Sequence, residues 1–119
     1  MTDRVINKVL AEVAGVTIRR SDYSSRTWLI ASGGAGRWDA LHDHNQMALV
    51  KAGLSKQGWS YSQQYWQNTK FYEAWLNREV RGYPSSHHFC IGQSTVSELR
   101  ALAEAVRDMR ENNYDQANR

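Results

Sequence analysis

The closing segment STVSELRALAEAVRDM places Val96, Leu99, Leu102, Val106 and Met109 three or four residues apart, the spacing of one apolar stripe along an α-helix. Thr95 and Glu98 have the form of a capping box that would start this helix. Such a stripe must be buried against another element, so the rest of the chain has to supply a second apolar layer. The opening TDRVINKVLAEVAG predicts another helix, with Thr2 or Asp3 as its cap, Val5, Ile6, Val9, Leu10 and Val13 on its stripe, and Gly15 as a left-handed stop.

Between these helices lie β-branched and aromatic runs. VTIRR (16–20) and RTWLIAS (26–32), separated by the polar cluster SDYSS, predict an antiparallel hairpin. Val16 and Ile18 then share a face with Leu29, or with Trp28 and Ile30, depending on register. SGGAG (32–36) breaks the second strand into a loop, and a further helix starts at Asp39 or Asp43 and runs to near Gly53, with Leu41, Met47, Val50 and Leu54 apolar. In GWSYSQQYWQNTKFYEAWLNREV, Tyr61, Tyr65, Thr69, Tyr72 and Leu76 fall on one helical face, and Ser60 with Gln63 repeats the capping pattern. The spacing favours a helix over 68–81, on which Glu73 and Glu79 are surface residues, and leaves 59–67 open between helix and strand. SHHFCIG predicts a strand over 86–92, and the tail NNYDQANR is polar. The fold class is therefore α+β, a small, mostly antiparallel sheet packed with three or four helices in a single domain over 1–119.

Composition narrows the function. With 41% apolar and 23% charged residues the chain is an ordinary globular one, and it has neither an apolar run near the ~20 residues of a membrane helix nor a secretory leader. One cysteine forms no internal disulfide, in keeping with a reducing compartment. The charge of +3 favours an anionic ligand without demanding one. Five Trp and six Tyr against two Phe suit half-buried interfaces and pockets, because each pairs an apolar body with a polar edge.

SSHHFC raises metal and nucleophile chemistry. On a strand, His88 and Cys90 share a face as half of a zinc set, but His42 and His44 complete it only if their own segment is extended. Cys90 has no orienting third group or oxyanion hole in view, so a packed thiol and surface histidines are the expectation, with no metal and no cofactor. SGGAGRW lacks both the P-loop and the dinucleotide fingerprints. It still brings Arg37 and Trp38 close to a helix start, where an anion is favoured. No paired carboxylates supply acid–base chemistry, so enzyme activity is not expected. Basic and aromatic residues interleave at Arg26 with Trp28, Lys70 with Phe71 and Tyr72, Trp75 with Arg78, and Arg81 with Tyr83. Guanidinium forks and aromatic faces are the two groups that grip a nucleotide. The ligand-binding candidates are Arg26, Arg37, Trp38, Arg78, Arg81, Tyr83, His87 and His88.

INKVLAEVAG, the tryptophan-bearing hairpin, WDALHDHN and STVSELRALAEAV together resemble the layout of small tailed-bacteriophage accessory proteins of the phage ABA sandwich type. The resemblance touches about half of the chain and carries no catalytic residue. It implies a binding protein in the host cytoplasm that counters host immunity. The leading expectation is a homo-oligomeric sponge for a nucleotide-type second messenger of Thoeris-like or CBASS-like systems. The alternatives are an inhibitor docking an aromatic patch on a host defence or replication protein, and a nucleic-acid binder with salt-sensitive affinity.

Overall fold

The computed structural model describes residues 2–22, 27–31, 36–80 and 82–114, with residues 84 and 85 described by backbone alone. The fold is α+β, as the sequence reading has it, and its strands form two three-stranded antiparallel sheets rather than one. The chain divides into two compact units, Met1–Leu54 and Ser55–Arg119, each with one of the sheets.

In the first unit, α1 (Asp3–Ala14) is capped by the Thr2 hydroxyl, which accepts from the Val5 N–H, and it ends at Gly15 with φ +72°. Its stripe buries Ile6, Val9, Leu10 and Val13. Strands β1 (Ile18–Arg20) and β2 (Trp28–Ile30) pair with Ile18 opposite Ile30, so Ile18 shares its face with Trp28 and Ile30. A third strand, β3 (Arg37–Trp38), which the sequence reading treated as loop, sets Trp38 opposite Trp28. After a 3-10 turn at Ala40–His42, α2 (His44–Lys56) begins. Asp43 is the residue at its start, its carboxylate accepting from the Asn45 and Gln46 N–H groups. Gly53 lies within α2, where a Cβ would stand 2.0 Å from the Val13 carbonyl oxygen, so only glycine permits this backbone approach.

The second unit corrects the largest expectation. The helix over 68–81 does not form: β4 (Ser60–Trp66) and β5 (Phe71–Val80) make a hairpin, and β6 (Tyr83–Ser94) pairs with the other edge of β5. Four residues are about one helical turn but also two strand repeats, so Tyr61 with Tyr65 and Tyr72 with Leu76 share a face under either periodicity. The register confirms that sharing, with Tyr61 opposite Leu76 and Tyr65 opposite Tyr72. Aromatic content and the QNTK turn, in which Lys70 takes a left-handed φ of 54°, decide for strands.

Helix α3 (Glu98–Glu111) covers one face of this sheet with Leu102, Ala105, Val106 and Met109, and Ala74, Leu76 and Cys90 are buried beneath it. The approach is closest at Gly92, where a Cβ would stand 2.1 Å from the Ala101 carbonyl oxygen. The cap of α3 is Ser97, whose hydroxyl accepts from the Arg100 N–H, and not Thr95. Ser94 Oγ accepts from the N–H of Val96, which leaves Val96 on an exposed turn outside the stripe.

Candidate functional site

Side chains alternate across a strand, so the register of the second sheet fixes which residues point away from α3. They are Ser60, Ser62, Gln64 and Trp66 on β4, Phe71, Glu73, Trp75, Asn77 and Glu79 on β5, and His87, Phe89, Ile91 and Gln93 on β6. Trp66, Phe89 and Ile91 are 40%, 53% and 42% exposed, and Phe71 and Trp75 are half-buried. The rings sit in two tilted pairs, Trp66 with Phe71 at 6.4 Å and Trp75 with Phe89 at 6.5 Å between centroids.

At the centre of this outer face lies Glu73, only 7% exposed. It stands opposite Gln64 on one side and Gln93 on the other. The Trp75 indole N–H donates to one carboxylate oxygen at 2.7 Å and the Gln93 amide to the other at 2.7 Å. Both donors are neutral. Among the described residues no lysine or arginine lies on this face, and none pairs with Glu73. Glu73 is thus not the surface helix residue expected from the sequence, but a buried carboxylate that fixes the tilt of Trp75.

The sequence-derived candidates are distributed differently. Arg37 and Trp38 belong to the first unit. Trp38 is buried, with its indole N–H donated to the Asn7 carbonyl at 2.8 Å, while Arg37 is exposed and 3.8 Å from Asp39. Arg78 and His88 sit opposite each other on the α3 side of the second sheet. Arg78 is 8% exposed, lies 4.4 Å over the Trp59 ring, and donates to the backbone carbonyls of Gln57, at 3.4 Å, and Tyr114. Its guanidinium therefore ties the chain before β4 to the end of α3 instead of forming an open anion fork. His88 stacks on Tyr114 at 4.1 Å and 7°. Desolvation and the neighbouring Arg78 cation hold its pKa below the ordinary value. Tyr83 is exposed, and His87 lies on the outer face with Nδ1 3.0 Å from Asn77 Oδ1. Arg26 and Arg81 lie outside the described residues, as does most of SGGAG.

His42 Nδ1 is 3.0 Å from both Asp39 oxygens, and among the described residues no three His, Cys, Asp or Glu side chains converge as metal ligands. Cys90 is fully buried, and burial together with Asp108 pushes its thiol up to about 12, which disfavours the thiolate a nucleophile needs. No helix among the described residues is long and apolar enough to cross a membrane.

The sequence reading missed the outer face because a helical FYEAW scatters Phe71, Glu73 and Trp75, which a strand aligns. The usable signal was period-two alternation in FYEAWLNREV, with Ala74, Leu76 and Val80 on one side and Glu73, Asn77 and Glu79 on the other. Comparisons with protein-family models, curated proteins and solved structures give no match for the chain.

Proposed function

We propose that the chain is a non-enzymatic binding protein that docks a short polypeptide segment on the outer face of its second sheet. The observation that carries this reading is the set Trp66, Phe71, Trp75, Phe89 and Ile91, which the register aligns on the side opposite α3 as two groups flanking the Gln64–Glu73–Gln93 row, with Trp66, Phe89 and Ile91 exposed and Phe71 and Trp75 half-buried. Exposed apolar patches of this kind mark interaction sites, and large aromatic side chains dominate their energetics. The seven residues of β4 and the three-strand width span about 23 Å by about 14 Å, on the order of 300 Å². That is well below the ~800 Å² each partner buries in a standard interface, so it suits a peptide segment better than a stable dimer. The resemblance to phage accessory proteins supports a host polypeptide as the source of that segment.

A nucleotide trap draws less support. It needs cationic forks directed at exposed rings, whereas among the described residues the outer face has aromatic rings without lysine or arginine, and Arg78 spends donors on backbone carbonyls. Selection of a displayed peptide library against the chain tests the docking reading. Selected peptides are expected to bind at least about tenfold more weakly to Phe89→Asp and equally well to Leu49→Asp, an exposed control position. Binding that ignores Phe89→Asp contradicts the reading. So does a concentration-dependent dimer abolished by Phe89→Asp, which would assign the face to a second copy.

A further inference from the structure

Resting on that reading of the outer face, Glu73 identifies the chemistry of the partner. A carboxylate that loses its hydration is ordinarily matched by a cation, because neutral hydrogen bonds recover only part of the cost of burial. Glu73 is 7% exposed and has two neutral donors, the Trp75 indole and the Gln93 amide, with no cation beside it among the described residues. Elsewhere in the same chain, two buried indoles are covered by guanidinium groups: Arg4 lies 4.7 Å over Trp28 and Arg78 4.4 Å over Trp59. Trp75 is half-buried, has no such cover among the described residues, and donates its N–H to an anion. That hydrogen bond polarises the indole and pushes electron density into the ring, strengthening its attraction for a cation on the open face.

We infer that the docked segment brings an arginine side chain onto the half-buried ring of Trp75 from the side opposite α3, where its guanidinium stacks on the indole and meets the field of the Glu73 carboxylate. Ile91 lies opposite Trp75, and Phe71 precedes Glu73 by two residues on the same face of β5, so both suit apolar residues near that arginine. A planar, weakly hydrated guanidinium fits a flat ring better than an ammonium does. Glu73 and Gln93 are positioning residues here, since they set the angle and electron density of Trp75 and need not touch the partner.

The test uses the ¹⁵N-labelled full chain and two blocked tripeptides, acetyl-Leu-Arg-Leu-amide and its neutral citrulline counterpart, reading the Trp75 indole N–H resonance. The arginine peptide is expected to shift this resonance saturably and to bind about fivefold tighter than the citrulline peptide, a difference that shrinks with added salt. Glu73→Gln keeps a polar side chain and removes the charge, so it should narrow the difference between the two peptides to about twofold, the part that stacking on the indole alone supplies. If that variant fails to fold, the peptide pair and the salt series on the wild-type chain decide alone. Equal binding of both peptides to wild type overturns the arginine assignment while leaving the docking face in place. Absence of any shift with the arginine peptide also overturns it, and the library selection then judges the docking reading separately.

Discussion

Trp75 donates its indole N–H to the Glu73 carboxylate at 2.7 Å from two positions further along the same strand, with both side chains on the face that α3 leaves uncovered. A hydrogen bond to a charged group is worth about 1.5–3 kcal/mol. Urea unfolding of Trp75→Phe, Glu73→Gln and the double variant should therefore give a coupling energy of that size, about 1.5 kcal/mol or more. Strictly additive effects would mean that the carboxylate does not hold the ring.

Close backbone approach at Gly92 makes a second prediction. The Cβ of an alanine there would stand 2.1 Å from the Ala101 carbonyl oxygen and 2.2 Å from the Ala105 nitrogen, both backbone atoms that cannot step aside. Gly92→Ala should cost at least about 3 kcal/mol, because it forces α3 off the sheet. Gly82, with φ +82° and open space around it, should cost only about 1–2 kcal/mol on the same change. Thermal unfolding of the two variants measures the difference, and equal losses would contradict the packing described.

Two nearby hydroxyls separate two starts for α3. Ser97 accepts from the Arg100 N–H, so Ser97→Ala should lose about 1 kcal/mol, whereas Thr95→Ala should be close to neutral. Chemical denaturation resolves the pair, and a larger loss at Thr95 would restore the capping box read from the sequence.

How much was legible in the chain follows from which signals are unique to one periodicity. Most of the α1 and α3 stripes, the stop at Gly15 and the β-former runs at 18–20 and 28–30 read correctly because their spacing fits a single structure, whereas Val5 and Val96, at the starts of the two stripes, are exposed. Residues 68–81 did not, because Tyr72 and Leu76 are four apart and satisfy helix and strand alike. The site was lost with that segment: the charge on Glu73 suggested a solvated helix position, and only the strand places it between Trp75 and Gln93. Arg78 and Trp38 stand among the ligand-binding candidates of the sequence, but their donors serve backbone carbonyls, a role that composition does not disclose.

Acid should weaken the second unit through His88. Its folded pKa lies below the ordinary 6.5, from desolvation first and then from the Arg78 cation, while Trp59 and Tyr114 present only rings to it. The unfolded chain therefore binds the proton more readily, so stability is full above about 6.5 and falls as pH drops through that value toward the lower folded one. His88→Gln should flatten this part of the stability–pH curve. A slope unchanged by the substitution would show that another group controls it.

Docking of a polypeptide on the outer face of the second sheet is open to direct observation. Intermolecular nuclear Overhauser effects between a library-selected peptide and the ¹³C,¹⁵N-labelled chain measure this directly. They are expected from peptide protons to the rings of Trp66, Trp75 and Phe89 and to the Ile91 methyl groups. Contacts confined instead to the first unit, or to Trp59, His88 and Tyr114 on the α3 side, would contradict it.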